Sequence, residues 1–336
     1  MDSSETMWMT EAFRFLKDAE KTESHQGCRV FHIQSPMMEC HFEAYRPYPF
    51  AEVAFIHARG RGSSYSHECL EGILQLNLCQ KGRLGWQMSD GSSQYLGAGD
   101  VSIHRMDACP LYGISLPWEQ AEDVMVLIDL AAFAAAMPES LKGIRFDFGE
   151  IQGRSSAEGG MALLPLPLPY FQFPAPRACW SADHRLNYVR LKFQELLLIL
   201  HANAAWAGLT LAQGYPREKV ERIQAVHDYL TGHLAEHLTV REVSRRFFIN
   251  LDDLKKGFKF VYGMPPAQYM RSYRMKKAAE LLCRTTLQVQ EIADRVGYGH
   301  PGKFALVFRE RMHMSPSAYR KANGRSFMVQ SGRESV

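Results

Sequence analysis

The 336-residue chain has no apolar run long enough to cross a membrane. Its most apolar stretch, Leu191 to Ala212, is broken by Lys192, Gln194, Glu195, His201 and Asn203. A spanning helix needs roughly 20 predominantly apolar residues, so this stretch reads as a buried or partner-facing helix. The opening residues, MDSSETMWMTEAF, are acidic and lack a basic segment followed by an apolar one. No secretory signal is therefore expected, and the chain is assigned to the cytoplasm. The cysteines are few and scattered: Cys28, Cys40, Cys69, Cys79, Cys109, Cys179 and Cys283, with no C-x-x-C pair. An odd number without paired spacing argues against a disulfide framework and against a zinc knuckle. It fits reduced thiols, mostly buried. None of them sits in a nucleophile motif.

What is present is an ordinary globular mixture, 46% hydrophobic and 22% charged, with length enough for two domains. The charge is unevenly placed. From Arg217 to Arg325 there are 21 Lys and Arg against 11 Asp and Glu, while the rest of the chain is net negative. A basic C-terminal third on an acidic remainder is the asymmetry expected when one part meets nucleic acid.

Residues 27 to 182 read as strands and turns, following a polar segment over 1–26. In ILQLNLC, Leu74, Leu76 and Leu78 alternate with Gln75, Asn77 and Cys79, the period of a strand with one face in a core. SDGSSQ and LGAGD are turn clusters, and Asp123 to Leu130 is a strand apolar on both faces. Short strands at this spacing predict a small barrel or sandwich. LPLPLPYFQFPAP, Leu164 to Pro176, is excluded from helix by its prolines and is expected to run extended over the surface. From Asp183, a plausible N-cap, apolar residues recur at helical spacing, and Leu196 to Leu200 are all apolar. This helical segment, 183–205, is expected to face a second copy of the chain, since so wide an apolar surface exceeds one stripe. Residues 206–216 read as a linker, and 323–336 as a frayed tail.

The region between is written twice. TVREVSRRFFINLDDLKKGFKFVYGMPPAQY (Thr239–Tyr269) and QVQEIADRVGYGHPGKFALVFRERMHMSPSAY (Gln288–Tyr319) superimpose with one extra residue in the second. Val240 matches Val289, Glu242 Glu291, Val243 Ile292, Leu254 Phe304, Phe258 Phe308, Lys259 Arg309 and Tyr269 Tyr319. Each copy reads as helix, turn, helix, with Gly297 and Gly299 suited to positive φ in the second turn. Over Leu251 to Val261, helical geometry puts Leu251, Leu254, Phe258 and Val261 on one side. Asp252, Lys255, Lys256 and Lys259 fall on the other, with Asn250 just before them. A helix that reads a major groove needs that division. In the second copy Phe304 and Phe308 face inward. Gly302, Ala305, Leu306 and Arg309 face outward, flanked by His300 and Lys303; Leu306 is either an ordinary exposed leucine or, on a groove-facing surface, one that meets a thymine methyl. PPAQYMRSYRMKKAAELLCR predicts one long helix between the copies, so that two readers engage successive grooves about 34 Å apart.

The run EIADRVGYGHPGKFALVFRERMHMSPSAYR resembles the C-terminal signature of the AraC/XylS family of bacterial transcription regulators, and the resemblance covers Pro216 to Lys321. It implies seven helices carrying two helix-turn-helix units over 217–322. It also implies binding to double-stranded promoter DNA, usually as an activator contacting RNA polymerase. The β-rich half and the following helix resemble the family's cupin-like ligand-binding and dimerisation domain. The expected fold class is thus α+β: a cupin-like β-barrel with dimerisation helices, then an all-α double helix-turn-helix domain. GHPG departs from the small polar residues that often open the family's second recognition helix. That helix is expected to start late and to touch mainly backbone. Asp252 and Asp253 either cap their helix, or Asp252 accepts from a cytosine amine.

The reading is therefore an effector-responsive, homodimeric DNA-binding regulator, not an enzyme, with no cofactor and no membrane partner. The alternatives are a cupin-type metal enzyme, for which His57, His67, Glu68 and His104 are the nearest ligand set, or a DNA-repair protein fused to the same reader. The strand region contains no H-x-H. For an unidentified small-molecule effector the candidate residues are Tyr65, His67, Trp86, Tyr95 and His104, with Tyr112 and Trp118 nearby. The same aromatics serve equally as barrel core.

Overall fold

The computed structural model describes residues 20–25, 28–63, 70–88, 91–106, 111–144, 162–164, 171–202, 210–211 and 214–324. Two compact units divide at Arg217/Glu218. No described helix is long and apolar enough to cross a membrane.

Among the described residues the first unit holds thirteen strands: β1 (Glu20–His25), β2 (Cys28–Gln34), β3 (Met38–Tyr48), β4 (Ala51–Gly60), β5 (Gly62–Ser63), β6 (Ile73–Met88), β7 (Ser92–Gly97), β8 (Val101–Arg105), β9 (Leu111–Ser115), β10 (Gln120–Asp129), β11 (Ala162–Leu164), β12 (Thr210–Leu211) and β13 (Tyr215–Pro216). Their main path runs β1-β2-β3-β4-β10-β6-β8-β11-β12. The path is open, since its end strands do not pair with each other among the described residues. Among the described residues the sheet is open, and closure of the expected barrel is not seen among them. Long β6 serves two partners in each half: β10 and β8 with its first residues, β7 and β9 with its last. The halves meet at a bulge, where Cys79 and Lys81 oppose Asp123 and Glu122 and Gln80 is left over. Gly82 follows at φ 76, where a Cβ would lie 2.1 Å from the Gln120 carbonyl oxygen. Only glycine fits that approach.

Both faces of this sheet are covered. Leu74, Leu76 and Leu78 pack with Val53, Phe55, Val124 and Val126. On the other face Ala54, Cys79, Met125 and Leu127 join Leu84, Trp86, Leu96 and Leu116. Gln75 and Asn77, read from sequence as a polar outer face, are buried as well. They are held by Gln75 Nε2 donating to Asn77 Oδ1 at 3.1 Å and Asn77 Nδ2 donating to Ser102 Oγ at 3.3 Å, which offsets the desolvation of those groups. Glu20–His25, within the stretch 1–26 read as a polar segment, is a strand on β2. The proline-rich stretch is not a surface strap throughout: Phe171 and Phe173 are buried in the first cluster.

Helix α1 (Leu130–Ala135) is capped by the Asp129 carboxylate, which accepts from the Ala132 N–H at 2.9 Å. Helix α2 (Ala182–Ala202) begins one residue before the predicted cap. It is Ser181 Oγ that accepts the His184 N–H at 3.3 Å, leaving Asp183 in the first turn. Val189, Phe193, Leu196, Leu197 and Leu200 bury against the sheet of their own unit. Leu197, one of the apolar run Leu196–Leu200 expected to supply a seam between copies, has no exposed surface. Its exposed large apolar residues are Leu191 and Leu198, 65% and 43% exposed and two turns apart.

The second unit is helical: α3 (Arg217–Gly232), α4 (Val240–Arg246), α5 (Leu251–Tyr262), α6 (Pro266–Arg284), α7 (Val289–Arg295), α8 (Pro301–Met312) and α9 (Pro316–Asn323). Helix α6, 19 residues and so about 28 Å long, serves both halves. Its Tyr269 packs on Phe258 and Tyr262 of α5. Further along, Met275, Ala278, Ala279 and Leu282 join Ile292, Val296, Phe304 and Phe308.

Candidate nucleic-acid interface

The two copies fold alike because the same local chemistry starts and stops their helices. Helix α4 opens with a capping box. The Thr239 N–H donates to Glu242 Oε2 at 2.7 Å, and the Glu242 N–H donates back to Thr239 Oγ1 at 3.2 Å. The Thr239 N–H, together with the Thr239 hydroxyl that donates to the same oxygen at 2.8 Å, holds the Glu242 carboxyl below its ordinary value. In α7 the Gln288 N–H donates to Glu291 Oε2 at 2.7 Å. Helices α5 and α8 both end in left-handed residues, Gly263 at φ 79 and His313 at φ 59, whose N–H groups donate to the Lys259 and Arg309 carbonyls. Histidine bears a steric cost in that conformation that glycine does not. Replacing exposed His313 with glycine should therefore stabilise the unit by about 0.5–1 kcal/mol, read as a higher Tm with an unchanged circular dichroism spectrum.

The extra residue of the second copy lies in the turn. Phe248 and Gly297 occupy the same place, at φ 51 and φ 77. Ile249 and Tyr298 then donate to the Ser244 and Ala293 carbonyls at 3.0 and 2.8 Å. Gly299 is the insertion, and contrary to expectation it has no positive φ. At Gly297 a Cβ would meet the Leu234 carbonyl oxygen at 2.6 Å, so the second turn requires glycine.

Helix α5 is capped by Asn250, whose Oδ1 accepts the Asp252 N–H at 2.8 Å. The cap is thus Asn250 rather than either aspartate. Asp252 and Asp253 lie in the first turn, where negative charge suits the helix dipole. Leu254, Phe258 and Val261 are buried, while Asp252, Lys255, Lys256 and Lys259 are exposed along the opposite side. In α8, Phe304 and Phe308 are buried; Gly302, Lys303, Leu306 and Arg309 are exposed and Ala305 half-buried. The helix starts at Pro301, preceded by exposed His300, which makes no side-chain cap hydrogen bond. Proline at the first helical position needs no N–H there. Sequence reasoning passed over Arg241, Arg245 and Arg246, exposed on α4. Their spacing on a short helix was the available signal.

In the first unit, Tyr65, His67 and Glu68 lie outside the described residues. Trp86, Tyr95 and His104 are buried but do not share one face. Trp86 pairs with Gln94 and Tyr95 with Gly85, so Trp86 and Tyr95 point to opposite sides of their ladder. Tyr95 lies under the Arg83 guanidinium, 5.8 Å from the ring centre. His104 pairs with Gln75, on the face that carries Trp86. The metal candidates His57 and His104 also fall on opposite faces: His57 is exposed, in register with His41 and Glu122, whereas His104 is buried. Among the described residues no three His, Cys, Asp or Glu are placed to hold a metal ion. What the sequence reading missed are the buried polar residues of the face that carries His104: Gln75, Asn77 and Ser102 near it, and Asp123 opposite Cys79. Burial pushes the Asp123 carboxyl up to about 7, and its Oδ1 has no hydrogen-bond partner. Cys28, Cys40 and Cys79 are buried too, and desolvation raises all three thiols, Cys28 to about 11 and Cys40 to about 12. That suppresses the thiolates a nucleophile would need.

Two helix-turn-helix motifs on a shared helix, each presenting a basic outer face, define a DNA-binding domain. Residues 243–322 match the family model described as a helix-turn-helix domain, and they form such a domain of the AraC/XylS family. The chain is 29% identical over 146 residues to the HTH-type transcriptional activator RhaS of Enterobacter sp. (strain 638), covering 44% of this chain and 50% of that protein. It is 30% identical over 138 residues to RhaS of Salmonella paratyphi B, covering 41% and 46%. The chain thus matches these curated relatives over about half their length. Among solved structures, the C-terminal domain of AraT, a response regulator from Geobacillus stearothermophilus, is 31% identical over 30% of this chain and 84% of that one, with a TM-score of 0.29. The DNA-binding domain of AdpA, solved with a target DNA, is 28% identical over 30% and 91%, also with a TM-score of 0.29.

Proposed function

We propose that this chain is a sequence-specific transcription regulator that reads promoter DNA with α5 and α8. The observation that carries the reading is the division of α5 into a buried apolar side and an exposed side bearing Lys255, Lys256 and Lys259. Asn250, Asp252, Lys255 and Lys256 are the base-edge candidates, and Lys259 is the phosphate contact. Helix α8 offers His300, Gly302, Lys303, Leu306 and Arg309. A rod of about 28 Å between the motifs favours two successive grooves, spaced about 34 Å apart. Selection from a random duplex library by the purified chain tests this directly. Enrichment of sites with two half-elements one helical turn apart is expected; a chain that enriches no sequence over bulk duplex is not such a regulator.

The relatives' role as activators favours activation, with RNA polymerase as partner. The first unit is read as the effector sensor, in a cupin-like arrangement. The effector is a small molecule with a hydrogen-bond donor that meets Asp123 on the face shared with Trp86 and His104. A carboxyl buried without a full set of partners is unfavourable for folding alone, and a ligand donor would offset that cost.

Dimerisation is assigned to the outward side of α2. Leu191 and Leu198, not Leu197, are the residues left for a second copy. Leu198→Glu should shift the chain from dimer to monomer in sedimentation at micromolar concentration and leave its Tm nearly unchanged. A wild-type chain already monomeric there ends the idea. Leu197→Glu is no test, because it puts a charge in the unit's own core.

A further inference from the structure

We propose that Phe248 is a DNA-contacting residue, its ring set against an apolar group of the duplex beside the first recognition helix; this rests on the DNA-binding reading above. Phe248 is 90% exposed and stands at φ 51. For a bulky side chain that backbone is an outlier, and such strain persists only where the surroundings impose it. Here they do. The Phe248 N–H donates to the Arg245 carbonyl at 3.2 Å. Arg222 Nη2 reaches across from α3 to the carbonyls of Phe247 and Phe248, at 3.2 and 2.9 Å. The backbone is thus fixed on both sides of a ring that packs on little of its own domain.

Folding gives no reason for phenylalanine at this place. The second copy puts Gly297 there at φ 77, and glycine would relieve the strain in the first copy as well. The site says what should cover the ring. Phe248 lies two residues before Asn250, the cap from which α5 presents Lys255 and Lys256. Arg241, Arg245 and Arg246 are exposed on the adjoining α4. An apolar ring within a set of cations complements a polyanion that carries apolar patches at its groove edge, either thymine methyls or deoxyribose rings. The asymmetry between Phe248 and Gly297 makes the two motifs unequal readers.

The probe is the duplex that the full-length wild-type chain enriches from a random library. Phe248→Gly and Phe248→Ala are compared with wild type for affinity at fixed salt and for Tm. Phe248→Gly should melt at or above the wild-type temperature, yet bind the probe roughly four-fold or more weakly, as expected for losing one methyl-sized apolar contact. Replacing thymines one by one with deoxyuridine separates the sources. One position at which the change weakens wild type but not Phe248→Gly identifies a methyl contact. A Phe248→Gly loss with no deoxyuridine position of that kind identifies a sugar contact. Wild-type affinity in both variants, on a probe the Lys255→Ala/Lys256→Ala chain fails to bind, overturns the contact and leaves the recognition helix standing. Unchanged DNA affinity with lost transcription assigns the ring to a protein partner and equally overturns the proposal. A wild-type chain that enriches no duplex overturns the contact together with the DNA-binding reading.

Discussion

The Lys255→Ala/Lys256→Ala chain should bind its selected duplex on the order of 10²-fold more weakly than wild type at the same salt, since each base contact contributes about 1–3 kcal/mol. Both ammonium groups are exposed on α5, on the side opposite Leu254, Phe258 and Val261. Their removal leaves the apolar side untouched, so the circular dichroism spectrum and Tm should hold. Specificity should relax at the base pairs the two lysines face. Lys259→Ala should behave differently. One turn further along the helix, it should weaken binding about equally on all sequences and reduce the slope of log affinity against log salt by about 1. If the double variant keeps wild-type affinity while folded, α5 is not the reader.

The helical unit was legible in the sequence because its core positions repeat. Leu254 and Phe258 in one copy, and Phe304 and Phe308 in the other, fix which side of each second helix turns inward, and the charged side follows by geometry. The turn was less legible. Asn250 caps α5 by a local bond to the Asp252 N–H, a signal the neighbouring aspartates obscured, whereas the glycine-like backbone of Phe248 depends on ties from Ser244 and Arg222 that no local pattern displays. The sheet was harder for two physical reasons. Gln75 and Asn77 look like a solvated face, but their amide nitrogens donate to Asn77 Oδ1 and Ser102 Oγ, and side-chain hydrogen bonds of that kind leave no periodic trace. The bulge at Gln80 also reverses which residues of β6 face which side. Trp86 and Tyr95 separate by simple alternation instead, since Tyr95 is in register with Gly85, one residue from Trp86. In α2, five consecutive apolar residues contain no information about which ones meet the sheet, so Leu197 and Leu198 were interchangeable until the packing assigned them.

Asp123→Asn should stabilise the first unit above neutral pH and flatten its dependence on pH. Asp123 is 4% exposed, on β10 beside Cys79 of β6, and desolvation of its charged form raises its carboxyl from 3.8 to about 7. Between those two values the folded state holds a proton that the unfolded chain has released. Folding is therefore favoured at low pH, and that contribution is lost as pH rises through the folded value. The loss is complete above about pH 7 and amounts to up to about 4 kcal/mol. Asparagine, isosteric with the protonated acid, has nothing to release. The two chains should melt alike near pH 4, diverge steadily to about pH 7 and run parallel beyond it, with Asp123→Asn the higher. Thermal melts across that range, with the helical unit followed separately by its own transition, measure the difference. Parallel curves throughout would mean that water or a neighbouring donor reaches the carboxylate in the folded unit, and the case for Asp123 as the effector's anchor would go with it. If the curves diverge as described, a ligand that carries a donor to Asp123 should raise the wild-type Tm most at alkaline pH, where the uncompensated charge is greatest, and should do little for Asp123→Asn.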